Sequence, residues 1–170
     1  MPIVKANDIQ MYYEIHGEGR SLVLIGGPGF DLSDLQRISS WLAQRYQVIV
    51  FDNRGAGRTD KPDIPYSMEM MDEDTAALLK ALAIERASLL GISMGGKIAL
   101  ALALRYPERV EKLILVSTSA RVMNTRRRWR ASPWSCIQPA SVPEQAPTAP
   151  LRLSSPTPGI GQLQLPHEAA

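Results

Sequence analysis

Residues 91–95 contain the serine whose neighbours best suit it for chemistry. They read Gly-Ile-Ser-Met-Gly, a match to the pattern G-x-S-x-G. An apolar run precedes Ser93 and strong helix formers follow it, so the pattern predicts a strand that turns directly into a helix. Such a turn strains the backbone at the serine and exposes its hydroxyl group at the end of the sheet. Gly91 and Gly95 meet the need for small residues, because the strand and the helix nearly touch there.

The same turn predicts a place where negative charge is stabilised. The amide of Met94 falls at a helix N-terminus, where free N–H groups and the helix dipole favour anions. The loop 26–29, Gly-Gly-Pro-Gly, follows the apolar strand 22–25 and lets backbone approach a ligand closely. Pro28 has no N–H, so Gly27 is the expected second donor. Two such amides suit acyl transfer, in which a carbonyl oxygen becomes an anion. A plain turn is the alternative interpretation of each glycine run taken alone.

A polar loop, residues 52–60, follows the next buried strand at 48–51. We interpret Asp52 and Arg54 as structural supports for the floor of the site. The glycines of this loop match neither a full G-x-G-x-x-G nor a P-loop, so they do not indicate a nucleotide site. We expect no cofactor and no metal ion.

Short apolar runs alternate with amphipathic stretches, a pattern typical of an α/β fold. Residues 3–6 and 9–15 predict an N-terminal hairpin, after which parallel strands with helices on both faces are expected. The predicted strands are 22–25, 48–51, 89–92 and 112–117, and the predicted helices are 34–46, 70–84 and 97–104. Ser67 is expected to cap the second helix. The acidic residues at its start, within 69–74, are expected to form a solvated helix face.

Composition favours a single soluble domain. The chain has 170 residues, of which 45% are hydrophobic, which is enough for a real core. The single cysteine, Cys136, rules out an intrachain disulfide. No signal-like segment or membrane-spanning run is visible, so we expect a cytoplasmic protein that does not bind membranes.

The last fifty residues differ in composition from the rest. Residues 1–120 carry 13 Lys and Arg against 15 Asp and Glu, whereas residues 121–170 carry 6 Arg against 2 Glu. Prolines recur there without apolar periodicity, a composition typical of disorder. We divide the chain into a folded part, 1–122, and an Arg/Pro/Ser-rich tail, 123–170, whose abrupt start indicates a truncated or frameshifted reading frame. Arg126–Arg130 could grip phosphate, but a solvated run is favoured and no nucleic-acid partner is expected.

Taken together, the motifs of residues 1 to about 122 resemble the N-terminal half of the α/β-hydrolase fold. The matching segments are 13–19, 26–31, 51–60, 91–96 and 106–110. The group that they resemble most is that of 3-oxoadipate enol-lactonase-like carboxylic-ester hydrolases. The resemblance implies an incomplete α/β-hydrolase sheet, Ser93 as nucleophile, Gly27 and Met94 as oxyanion-hole amides, and a small-molecule ester or lactone as substrate. Ile25 stands where many members have histidine.

The resemblance does not extend to the base and the acid that the family uses. In some members the acid follows the strand equivalent to 112–117, but residues 117–120 read Ser-Thr-Ser-Ala. We interpret His16 as a strand-end residue away from Ser93, and His167 lacks the glycine and the strand that precede the family's histidine. We therefore expect a weak or inactive enzyme, the alternative being a fragment or pseudoenzyme that binds an acyl ligand. Without further strands, 112–117 would be an exposed apolar edge open to self-association.

Overall fold

The structure is a computed structural model, and it describes residues 2–119. The strands in this range are β1 Ile3–Ala6, β2 Ile9–His16, β3 Ser21–Ile25, β4 Gln47–Phe51, β5 Ala87–Ile92 and β6 Val110–Val116. The α-helices are α1 Leu32–Leu42, α2 Met68–Ala81 and α3 Met94–Arg105, and one turn of 3₁₀ helix, Pro107–Arg109, joins α3 to β6. The predicted tail 123–170, with its boundary, Arg126–Arg130 and His167, lies outside the described residues.

The six strands form one sheet in the order β1-β2-β4-β3-β5-β6. The first two make the predicted antiparallel hairpin, and β2 is also antiparallel to β4. The other four strands run parallel to one another. Segments that follow β3, β4, β5 and β6 therefore gather at one end of the sheet, which we call the carboxyl edge. In open α/β sheets this edge is where ligands bind.

Helices cover both faces of the sheet, as predicted. Successive side chains of a strand point to opposite faces. Val23 and Ile49 belong to the core beneath α2 and α3, whereas Leu24 and Val50 pack with Leu35 of α1 on the other face. Within residues 2–119, none of the helices has the length and apolar character needed to cross a membrane.

Capping side chains explain where the helices begin. The predicted start of α1 at residue 34 was two residues late, because Asp31 is the cap and accepts a hydrogen bond from the Ser33 amide at 2.7 Å. The Asp34 carboxylate in turn accepts a hydrogen bond from the Asp31 amide at 3.1 Å, which completes a capping box. Ser67 caps α2 as predicted, accepting from the Met70 amide at 3.2 Å. The third helix begins at Met94, directly after the serine.

The prediction of a solvated acidic face on α2 was wrong for two of its residues. Asp72 and Asp74 are each only 1% exposed, while Glu73 on the same helix remains exposed. Each buried carboxylate meets an arginine from a distant segment: Arg105 for Asp72 and Arg54 for Asp74. Local sequence shows only that acidic residues are frequent here, and the ion pairs that permit their burial come from tertiary contacts.

Candidate active site

Ser93 occupies the predicted sharp turn between β5 and α3. Its backbone angles are φ 55° and ψ −115°, a positive-φ conformation that is strained for any residue other than glycine. The residue is exposed at the carboxyl edge. Its amide donates a hydrogen bond to the Val116 carbonyl of β6 at 2.9 Å, which secures the turn to the neighbouring strand. The hydroxyl group is thus presented to solvent on a fixed backbone.

Two glycines leave room for this turn. A Cβ atom added at Gly91 would lie 2.5 Å from the Gly96 Cα atom, and one added at Gly95 would lie 2.6 Å from the carbonyl carbon of Ile25. Both distances are shorter than real Cβ contacts. A side chain at either position would push β5, α3 and β3 apart, so the close approach predicted from the sequence is present.

The structure brings Gly27 and Met94 to Ser93. A Cβ added at Gly27 would lie 3.4 Å from the Ser93 Cβ and 3.8 Å from its Oγ, so this glycine lies beside the hydroxyl group. Met94 is the first residue of α3 and is buried. Helix geometry leaves its amide without a partner inside the helix. Ser93 and the two residues whose amides are expected to bind an oxyanion therefore meet at one point of the carboxyl edge.

Asp52 ties two segments of the site together. Its Oδ1 accepts a hydrogen bond from the Leu32 amide and its Oδ2 accepts one from the Arg58 amide, both at 2.8 Å. Burial raises the pKa of this carboxyl, and the two amide donors act in the opposite direction. The carboxylate thus joins the start of α1 to the loop after β4. This position agrees with a structural role.

Arg54 is a second anchor and is only 2% exposed. Its Nε and Nη2 each donate to Asp74 at 2.8 Å, and Nη2 also donates to Asp8 at 2.6 Å. The hydrogen bonds to Asp74 hold the pKa of the guanidinium above its ordinary value, although burial alone would lower it. In turn, the bond from Arg54 lowers the pKa of Asp8. One buried side chain thereby links the loop, α2 and the N-terminal hairpin.

Asn53 makes a buried contact that the sequence motifs do not predict. It is 3% exposed, and its Nδ2 donates a hydrogen bond to the Gly26 carbonyl at 3.2 Å. The bond spans two loops that follow different strands and that meet only because β3 and β4 are neighbours in the sheet. A polar residue two positions after a buried strand is the only signal in the sequence.

His16 lies at the end of the sheet opposite to the carboxyl edge, and therefore away from Ser93, as predicted. It is paired with Val48 at the start of β4, which is level with Leu22 and Ser88 on the next strands. Ser93 is five residues further along, about 16 Å of extended strand. The imidazole Nε2 instead lies 3.0 Å from a carboxylate oxygen of Glu14. It is the only histidine among residues 2–119.

The end of β6 is the other side of the site. Residues 117–119 carry no carboxylate, and the Thr118 side chain packs against Gly96 at the start of the serine helix. The Thr118 hydroxyl oxygen is buried and has no hydrogen-bond partner within the described part of the chain. No group of three or more His, Cys, Asp or Glu side chains in residues 2–119 could hold a metal ion.

The sheet order and the serine turn are those of an α/β-hydrolase, and comparison with known proteins agrees. The sequence pattern of the alpha/beta hydrolase fold family matches residues 20–135, more than half of the chain. The chain therefore belongs to the α/β-hydrolase family.

Individual relatives are hydrolases of several kinds. The chain is 38% identical over 128 residues to "Putative carbamate hydrolase RutD" of Azorhizobium caulinodans, and 33% identical over 128 residues to 3-oxoadipate enol-lactonase 2 of Acinetobacter baylyi. These matches cover 75% and 74% of this chain and 48% of each relative. The crystal structure of the enol-lactonase from Burkholderia xenovorans LB400 matches with a TM-score of 0.68 and 35% identity, over 71% of this chain and 48% of that one. The chain thus spans about half the length of these relatives.

Proposed function

We propose that this chain carries the nucleophile and the oxyanion hole of a serine hydrolase that acts on carboxylic esters or lactones. In this proposal Ser93 is the nucleophile, and the Gly27 and Met94 amides bind the oxyanion. The observation that carries the proposal is the exposed serine with positive φ at the carboxyl edge, with Gly27 beside its hydroxyl group. Similarity to two enol-lactonases favours a lactone or ester substrate.

The reaction follows from this geometry. The Ser93 Oγ forms a bond to the carbonyl carbon of the substrate, and the π electron pair moves onto the carbonyl oxygen. In this proposal the resulting anion accepts hydrogen bonds from the Gly27 and Met94 amides. Collapse of this intermediate breaks the bond to the alkoxide leaving group, which takes a proton, and water then releases the acyl group. The serine proton must pass to a base, which in such enzymes is a histidine oriented by an acid.

Turnover by this chain is proposed to be weak, because the described part offers no base near Ser93. His16 lies at the other edge of the sheet, and residues 117–119 at the end of β6 carry no carboxylate. A serine without a base is a poor nucleophile toward esters. The oxyanion-binding half of the site remains, so binding of an acyl ligand without efficient hydrolysis is the second function that this geometry favours.

Binding of a boronic acid tests the nucleophile separately from turnover. Boron forms a bond to a serine oxygen and becomes tetrahedral and anionic, while the hydroxyl proton goes to the buffer, so no enzyme base is consumed. We expect phenylboronic acid to bind the full chain and to lose its affinity in Ser93→Ala. Ser40 is an exposed serine on α1, so Ser40→Ala is the matched control and should bind phenylboronic acid as the unmodified chain does. Equal binding by Ser93→Ala would overturn the assignment of the nucleophile.

A further inference from the structure

Asn53 touches the peptide unit that carries one of the proposed oxyanion donors. Its Nδ2 donates to the carbonyl oxygen of Gly26. That carbonyl and the amide of Gly27 belong to the same planar, trans peptide unit, in which C=O and N–H point in opposite directions. A side chain that holds the Gly26 oxygen therefore also sets the direction of the Gly27 N–H.

The other side of this peptide unit is confined as well. A Cβ added at Gly95 would lie 2.7 Å from the Gly26 oxygen, so the carbonyl sits against the bare backbone of the serine helix. A Cβ added at Gly26 would lie 3.1 Å from the Phe30 Cβ and 3.2 Å from a methyl carbon of Leu35. The Gly26–Gly27 peptide unit is packed between α3 and the start of α1, and Asn53 donates a hydrogen bond to its carbonyl oxygen.

Asn53 can act as a fixed point because its own loop is fixed. Its carbonyl accepts from the Ala56 amide at 2.9 Å. The residue before it, Asp52, accepts bonds from two amides, and the residue after it, Arg54, is held by two carboxylates. The Asn53 side chain thus projects from a loop in which the residues on either side of it, Asp52 and Arg54, are both held by hydrogen bonds.

We propose that Asn53 is a positioning residue that aims the Gly27 amide at the oxyanion of a substrate bound to Ser93. The inference rests on the proposed function, in which Gly27 is an oxyanion donor. It assigns a task to a side chain that does not reach the substrate and acts only through the Gly26–Gly27 peptide unit.

Glycine-selective ¹⁵N labelling of the full chain provides the test, since the sequence contains only 12 glycines. Gly27→Ala identifies the Gly27 signal by its disappearance. Asn53→Asp keeps the shape of the side chain but removes the donor while the carboxyl is ionised, and Asn53→Ala removes the group without adding charge. We expect the Gly27 amide signal to shift in both variants, and affinity for phenylboronic acid to fall about tenfold, the usual cost of one hydrogen bond to a charged group. Lowering the pH should return the Asn53→Asp signal toward its original position, because a protonated carboxyl can donate again.

Thr75→Val is the matched control. Thr75 is fully buried, and its hydroxyl donates to the Met71 carbonyl at 2.8 Å inside α2. This variant also loses a buried hydrogen bond, but it should leave the Gly27 signal and the boronic acid affinity unchanged. An unshifted Gly27 signal in both Asn53 variants, an equal shift in Thr75→Val, or failure of both Asn53 variants to fold would overturn the positioning role. If the unmodified chain binds no boronic acid, the proposed function fails, whereas the Gly27 signal of the free chain still decides the role of Asn53.

Discussion

The two sides of Ser93 are built very differently. On the side of β3 and β4, buried polar side chains hold every loop near the serine, and Asp52, Asn53 and Arg54 all make hydrogen bonds to other segments. On the side of β6, Ser117 and Thr118 follow the strand, and the exposed fractions of the last three strand residues are between 40% and 44%. We call these the supported side and the open side.

This difference separates two tasks of a serine hydrolase. The supported side carries the proposed oxyanion donor and the residues that fix it, all within residues 20–96. The open side is where some members of the family place an acid, and no carboxylate stands there among the described residues. In the proposed function, oxyanion stabilisation depends on the supported side, whereas activation of the serine would need a base that the described residues do not place near it. The following predictions test the two sides separately.

The largest expected effect concerns hydrolysis by the full chain. Disabling the nucleophile–base unit of a related triad costs about 10⁶-fold in turnover and leaves only ~10³–10⁴ over water. With the ester in large molar excess over the chain, we therefore expect p-nitrophenyl acetate to be hydrolysed barely above the rate in buffer, with little change in Ser93→Ala or in the control Ser40→Ala. Turnover of several per second that Ser93→Ala abolishes would show that the chain supplies a base, and His16→Ala would then test the one histidine among the described residues.

The next largest effect should come from breaking the main anchor of the supported side. Arg54→Leu leaves the buried Asp74 carboxylate without its cationic partner, which typically costs about 3–5 kcal/mol. Urea unfolding should show this loss, whereas Arg37→Leu, at an exposed arginine of α1, should stay within about 0.5 kcal/mol. The double variant Arg54→Leu/Asp74→Leu should recover part of the loss. A cost below that of the Arg37 control would mean that Arg54 does not support the loop.

A smaller, pH-dependent effect is expected from Asp72, the less well paired of the two buried carboxylates of α2. Burial raises its pKa to about 6; Arg105 opposes this rise, while Glu73 and Glu69 add to it. Arg105 Nη1 lies 3.2 Å from Oδ1 but makes no aligned hydrogen bond to it. Because the folded-state pKa exceeds the ordinary 3.8, the folded chain binds the proton more tightly, and its stability falls as the pH rises from about 4 through 6.

Comparison with Asp72→Asn isolates this contribution. The stability difference between this variant and the unmodified chain should change by on the order of 2 kcal/mol between pH 4 and pH 7.5, since one pKa unit corresponds to about 1.4 kcal/mol. Glu85→Gln is the control, because Glu85 is an exposed carboxylate outside this cluster. Parallel stability curves for the unmodified chain and Asp72→Asn would contradict the prediction.

The smallest effect concerns association through the open side. Ile114, Leu115 and Val116 are at least 40% exposed, and β6 pairs only with β5 among the described strands. An exposed apolar edge strand invites pairing with another copy. We expect self-association in sedimentation velocity that Ile114→Lys reduces. Ile3→Lys, at an exposed isoleucine of the opposite edge strand, should reduce it less. A stable monomer at high protein concentration would rule out self-association through β6.

Local patterns predicted the elements and the serine turn from the sequence. The G-x-S-x-G motif, the change from an apolar run to helix formers and the Ser67 cap each depend on contacts within a few residues. For that reason the hairpin, the parallel strands, the serine turn and the α2 cap are confirmed. The ends of helices were less accurate, since the side chain of Asp31 determined the start of α1.

Tertiary structure alone decided which polar residues are buried and what they hold. Asp72 and Asp74 are typical of a solvated helix by composition, yet each meets an arginine brought in by the packing of α2. The bond from Asn53 to Gly26 exists because the sheet places β4 beside β3, so that two loops far apart in sequence become neighbours. Sequence spacing carries no information about such contacts, because they depend on which strands pair and in which register.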